Sequence, residues 1–433
     1  MIKASEFARR RQRLMTEAGS NALILIAAAR PRLRNGDSFH AYRQDSDFFY
    51  LTGLCEPDAV LALVPGRDAG EQILFCRPSD PERERWDGAR LGLDGAREAL
   101  GMDDAFPIDD LDDILPQLME GVARVYHPVG KDAEFDQRII GWRQRLRQLR
   151  RDEKGPGEMV SLEYLLHEQR LIKSGQEIRT MAKAARISAG AVVRAMKHCA
   201  PGMNEADIHA ELIHEFRRHG CPPAYLPIVA GGRNALILHY IDNNQSLNDG
   251  DLLLIDAGCE KDGYASDISR TFPVNGRFDP AQRAVYEIVL EAQNNAIDKV
   301  RPGQAFEAYH EAAVRTLTEG LCELGLLTGS VDDLIDQAAY RRFYMHKTGH
   351  WLGLDVHDVG DYRIADESRV LEKNMVVTVE PGLYIGDEDD VPGAFRNIGI
   401  RIEDDIRVTD SEPENLTGAV PREIDRVEEL MAK

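Results

Sequence analysis

The sequence predicts an α+β catalytic domain behind a smaller α/β N-terminal domain. Three observations carry this. A chain of 433 residues is too long for one ordinary domain. Strand and helix signals interleave in its first third. Beyond a boundary near residue 173, short strands and long helices mix without strict βαβ alternation. The expected domains are therefore 1–173 and 174–433.

Ser5 to Ala18 reads as a capped helix and NALILIAA (21–28) as an apolar strand. FFYLTGL (48–54), AVLALVPG (59–66) and QILFC (72–76) read as three more strands. A helix is expected from Glu134 to Arg151, ending before Gly155-Pro156-Gly157, and another over 158–171. Ser174 followed by Glu177 is a capping box, opening a helix that runs to about Lys197. The next helix spans Asn204 to Arg218. Strands then fall at 251–256, 265–272, 375–380 and 398–408, with helices over 280–300 and 303–325.

Hydrophobic residues make up 43% of the chain and charged residues 29%, which is globular composition. The net charge of −21 repels phosphates, excluding nucleic acid and anionic membrane as main partners and favouring cations, amines and metal ions. No apolar run reaches the ~18 residues that span a bilayer, and the charged amphipathic start does not read as a secretory signal. Six scattered cysteines without a CxxC pair point to reduced thiols and a cytoplasmic protein. Arg9-Arg10-Arg11 reads as a solvated helix face and Asp387 to Asp390 as an exposed acidic loop. Trp86 reads as domain packing.

The chemistry concentrates in the C-terminal part. Asp256 ends the apolar strand of DLLLIDAG, and the chain returns through an Asp262-Gly263 turn as YASDISRTF. That pairing sets Asp267 opposite or diagonal to Asp256, within reach of a shared ion. Glu380 follows the apolar run of MVVTVEPG. In GIRIEDDIRV the period-two alternation puts Gly399, Arg401 and Glu403 on one face. MHKTGHWLGLDVHDVG (345–360) holds His346, His350 and His357, and His239 follows Gly231-Gly232. Gly349 and Gly353 argue against a zinc-binding helix, and HExxH is absent.

If the four acids converge, each pair ~4 Å apart costs about 4 kcal/mol at an effective dielectric near 20. Two divalent ions would cancel four carboxylates. One neutral imidazole completes an O/N donor set suited to Mn, Co, Fe or Zn. Such a pair of ions serves hydrolysis.

The segments IDAGCEKDGYASDISRTFPVNG, MHKTGHWLGLDVHDVG, VVTVEPGLYI and GIRIEDD resemble, in order, those of the pita-bread metallopeptidases, family M24. YRQDSDFFYLTGLCEPDAVL (42–61) and RWDGARLG (85–92) are similar to the N-terminal domain of the aminopeptidase P branch. The resemblance implies a pita-bread catalytic domain with Asp256, Asp267, His350, Glu380 and Glu403 as ligands of two metal ions, Mn(II) in this branch. Asp267 and Glu403 would bridge, and Glu380 would also handle the proton of the attacking water. His239 and His357 would contact substrate, with His346 lining the same region, and Arg401 would orient the bridging acids. The implied reaction is attack by a metal-bridging hydroxide on the bond between an N-terminal residue and a following proline. The alternatives are a prolidase-type dipeptidase and a non-catalytic peptide- or protein-binding module on the same fold. A homo-oligomer, dimer or tetramer, is expected, with Trp86 reaching a neighbouring subunit. Gly349 departs from the serine expected in many members, beside a ligand position rather than at one.

Overall fold

Residues 2–149 and 155–432 are described by a computed structural model. Contacts divide the chain into Met1–Arg170 and Leu171–Lys433.

In the first unit a six-stranded sheet runs Asp104–Pro107, Gln72–Cys76, Val60–Leu63, Ala22–Ala27, Arg124–His127 and Glu158–Ser161. Val60–Leu63 is antiparallel to both neighbours, while the pairings of 22–27 with 124–127 and of 124–127 with 158–161 are parallel. Leu23, Leu25, Phe75 and Val125 pack with Ile139 and Trp142 of the helix Ala133–Leu149. Arg150 and Arg151, the expected end of that helix, lie outside the described residues.

Five local expectations are corrected. FFYLTGL is no strand: Ser46–Thr52 is a helix. The Asp45 carboxylate accepts from the Asp47 and Phe48 amides, and Gly53 ends the helix at φ 70 with its N–H on Phe49 O. These caps override the strand propensity of the aromatic run, and Phe48, Leu51 and Thr52 share the buried face. Residues 158–161 form the edge strand, and the expected helix begins only at Glu163. The first helix spans Ala4–Ala18, and its N-cap, Lys3, makes no side-chain cap.

The arginine run is the fourth. Arg10 and Arg11 are buried rather than solvated. Arg10 donates to Tyr50 O at 3.0 Å with its guanidinium 4.0 Å from the Tyr50 ring centroid. Arg11 donates to Leu51 O and Leu100 O at 2.8 and 2.9 Å, and burial pushes its pKa down to about 10. The run thus holds carbonyls at the helix and loop ends. Trp86, expected to pack, is 87% exposed.

In the second unit the capping box closes as read: Ser174 Oγ accepts from the Glu177 amide, and the Glu177 carboxylate accepts from Ser174 N at 2.8 Å. The helix Gly175–His198 buries Ile178, Met181, Ala185, Ala189, Val192 and Met196 along one stripe. It packs on Glu205–Arg218, and Pro280–Ile297 packs on Glu307–Glu323. Leu252–Asp256 is the central strand of a sheet between Ile228–Gly231 and Ser269–Pro273. A second sheet is ordered Val376–Val379, Asp404–Arg407, Glu414–Asn415, and Gly382–Ile385 pairs with Ile398–Arg401.

Both long strands expected here are interrupted. Asp256 pairs with Ser269, so Asp267 is diagonal to it. The Asp267 amide leaves the ladder for the Asp405 carboxylate at 3.2 Å. A Cβ on Gly258 would lie 1.6 Å from Ser266 O, so only glycine permits this approach. In the 398–408 segment, Gly382 pairs with Arg401 in one ribbon and Val379 with Asp404 in the other. Pro381 cannot donate to a ladder, and the chain changes partners there. Glu380 and Glu403 occupy the two opposed interruptions.

Candidate metal centre

Because ladder pairing lapses at both switch points, Glu380 and Glu403 turn inward beside the hairpin that carries Asp256 and Asp267. One ligand atom each from Asp267, His350 and Glu403 lies within 4.8 Å of the others. His350 Nε2 is 3.5 Å from Glu380 Oε1 and 3.7 Å from Asp267 Oδ2. Asp256 joins through Tyr225, whose hydroxyl is 2.5 Å from both Asp256 Oδ1 and Asp267 Oδ1. All five sequence-predicted ligands therefore meet at one place.

Arg401 is buried among them. Its Nη2 donates to Asp256 Oδ2 at 2.7 Å, its Nε to Ser269 Oγ at 2.7 Å and its Nη1 to Tyr384 at 3.0 Å. Ser269 Oγ donates to Glu403 at 2.7 Å. Its direct hold is thus on Asp256, and it reaches Glu403 only through Ser269. Gly399 shares that face because a Cβ would meet Ala235 O at 2.6 Å.

These acids surround a pocket of about 640 Å³ whose wall includes His239, His310, His346 and His357. The rings of His350 and His357 meet edge to face at 4.2 Å. His346 Nε2 is 2.9 Å from the Tyr384 hydroxyl. Burial pushes both His346 and His310 down to about 4, and burial with the neighbouring His350 lowers His357, so these three are neutral imidazoles near pH 7. His310 Nδ1 is 2.8 Å from Thr348 Oγ1, which is 2.7 Å from the Tyr344 hydroxyl. A Cβ on Gly349 would fall 1.9 Å from Thr378 O, so the backbone at this position leaves no room for a side chain. The acidic loop is exposed, as read, and Asp390 pairs with Arg342.

Tyr225, His310, Ser269 and Tyr384 are at the site without having been singled out in the sequence. A hydroxyl or imidazole in an apolar stretch gives no local signal of the carboxylate it will meet. Ser269 alone was accessible, sitting two residues after Asp267 on the face of Arg401 and Glu403.

The donor set fits divalent cations. His350 Nδ1 lies 2.9 Å from Trp351 O, so that carbonyl holds the ring proton and the Nε2 lone pair faces the carboxylates. One tyrosine proton cannot satisfy two carboxylate oxygens at once. Burial, then the Asp256 charge, pushes Asp267 up to about 8. Burial, opposed by Arg401 and reinforced by Asp256, puts Glu380 at about 7, and burial with Asp267 raises Glu403 well above the carboxylate range. Cations or protons must therefore neutralise this cluster.

The linkage sign gives a test. Metal-free, folded Asp267 and Glu380 keep protons that the unfolded chain releases near pH 4. Stability contributed by that protonation falls as pH rises from about 4 and is gone above about 8. Divalent ions replace the protons, so the melting-temperature gap between metal-loaded and chelated protein should widen from pH 5 to 8.5. Thermal melts at matched ionic strength check this; a constant gap contradicts it.

Residues 179–410 match metallopeptidase family M24, and residues 7–126 match the aminopeptidase P N-terminal domain. The Xaa-Pro aminopeptidase of Escherichia coli K12 is 47% identical, with 99% of this chain and 98% of that protein covered. That of Haemophilus influenzae is 44% identical over 99% and 98%. Among solved structures, the aminopeptidase PepP of Pseudomonas aeruginosa superposes with a TM-score of 0.98 at 54% identity, covering 99% of this chain and 98% of that one. Proline aminopeptidase P II of Yersinia pestis gives 0.96 at 47% identity, covering 99% of both chains. The α+β pita-bread domain behind an α/β domain, the dependence on divalent metal and the peptidase class follow. The chain belongs to metallopeptidase family M24.

Proposed function

We propose that this chain is a metal-dependent aminopeptidase that cleaves the bond between an N-terminal residue and a following proline. The observation that carries the reading is the convergence of Asp267, His350 and Glu403 at the foot of one pocket, with Glu380 and Asp256 beside them. Asp256, Asp267, His350, Glu380 and Glu403 would hold two divalent ions, Mn(II) by preference. A solved relative is a zinc-substituted Escherichia coli aminopeptidase P in complex with product.

Bound there, such ions would acidify a water and polarise the substrate carbonyl. Glu380, 3.5 Å from His350 Nε2 in the same pocket, takes the proton of the attacking water. His239 and His357 line the pocket and stabilise charge developing on the carbonyl oxygen. His346, held by Tyr384, contacts the substrate beside them. The proline nitrogen departs without an N–H of its own, so it must be protonated, and Glu380 passes to it the proton taken from the water. The acids hold the free N-terminal amine and restrict cleavage to the first bond. Arg401 holds Asp256 in place through its 2.7 Å hydrogen bond to Oδ2. The enzyme works in the cytoplasm as a homo-oligomer, dimer or tetramer. No helix among the described residues is long and apolar enough to cross a membrane.

A prolidase-type dipeptidase is the second reading, favoured by Lys347 and Arg363, two cations in the pocket wall able to meet a dipeptide's carboxylate. Hydrolysis of an X-Pro-Y tripeptide, an X-Pro dipeptide and a Met-Ala peptide with Mn(II) present separates them. The tripeptide should be turned over fastest; cleavage of the dipeptide alone would transfer the assignment to prolidase. Dialysis against a chelator should abolish activity and Mn(II) should restore it.

A further inference from the structure

We infer that Glu205 is a positioning residue that fixes His239 for the reaction, an inference resting on the proposed contact of His239 with substrate. Glu205 opens the helix Glu205–Arg218 and is fully buried. Its carboxylate accepts four hydrogen bonds, all from one loop. Oε1 accepts from the Gly231 amide at 2.8 Å and Asn234 Nδ2 at 2.9 Å. Oε2 accepts from the Tyr240 hydroxyl at 2.8 Å and the Gln245 amide at 2.9 Å. The Glu205 amide in turn donates to Gln245 O at 2.9 Å.

All four donors are neutral, so the carboxylate is stabilised by hydrogen bonding alone. That arrangement needs every donor in place, because a buried anion that loses one is strongly penalised. The anchored residues begin, interrupt and end the segment 231–245. His239 lies inside it, one residue before an anchor, with its own side chain exposed to the pocket. Two glycines start the segment, and Gly232 has φ 54, so the backbone there has little stiffness of its own. The loop takes its geometry from Glu205, and through it His239 takes its place.

Glutamine at 205 keeps the shape but turns one acceptor into an NH₂ facing donors. A double-mutant cycle separates positioning from general support. In the manganese holoenzyme, Glu205→Gln should lower kcat/KM on an X-Pro-Y peptide by about tenfold or more in the native background. In a His239→Ala background the same change should cost less than about threefold. Metal content, measured by elemental analysis, should be unchanged. Equal losses in both backgrounds, or loss of metal, overturn the inference. If Glu205→Gln fails to fold, Tyr240→Phe, which removes one donor and leaves the anion, replaces it in the cycle with the same two outcomes. A His239→Ala enzyme at the native rate removes the substrate role of His239 and this inference with it, a result distinct from equal losses.

Discussion

Glu380→Gln should lower kcat by about a thousandfold, some 4 kcal/mol of barrier, with the protein still folded. The substitution is nearly isosteric. It preserves the Glu380 amide bond to Thr348 O at 2.8 Å and leaves an oxygen for Thr378 Oγ1 at 3.2 Å. What it removes is the negative charge and the capacity to hold a proton. Metal affinity should fall as well, because one of four carboxylates is lost, so activity must be measured with metal titrated to saturation. KM should change far less than kcat, since proton handling belongs to the transition state. Activity within tenfold of native at saturating metal would show that another group moves the proton.

Lys173→Met should give the largest loss of stability outside the metal centre, about 3–5 kcal/mol. Lys173 Nζ is 3.0 Å from Asp358 Oδ2, and both side chains are about 1% exposed. Removing the cation leaves a buried carboxylate. The effect should reach function, because Asp358 follows His357 and its Oδ1 accepts from the Asp355 amide. The same carboxylate crowds Gly353, where a Cβ would lie 2.1 Å from Oδ2. The pair thus fixes the short stretch that presents His357 to the pocket. Urea denaturation measures the loss. The double variant Lys173→Met/Asp358→Leu should recover part of it, since an apolar pair leaves no buried charge. A single variant as stable as the parent would show that Asp358 finds water or another donor.

Much of the site was legible because its parts carry local signatures. The Asp262-Gly263 turn has the positive φ at both residues that such a pair favours, 49 and 83. It brought Asp256 and Asp267 together on paper. Glu380 stands before a helix- and ladder-breaking proline, and the alternation of 398–403 already placed Arg401 with Glu403. The ligand types, their order and the resemblance they carry needed no coordinates.

Where the reading failed, partners distant in sequence decided the outcome. The aromatic run at 48–54 became a helix through its capping residues. Arg10 and Arg11 went inside because carbonyls 40 residues away accept their hydrogen bonds.

By itself, the sequence determined the secondary-structure periodicity, the turn and capping chemistry, the family and the five donor groups, all of which depend on neighbours within a few residues. Only the tertiary structure decided that two strand pairings lapse opposite each other, that Tyr225 joins Asp256 to Asp267, that Arg401 holds Asp256, and that Glu205 anchors the His239 loop. These rest on contacts between residues as far as 145 apart in the chain. Their energies depend on burial and angle, which no short stretch of sequence encodes.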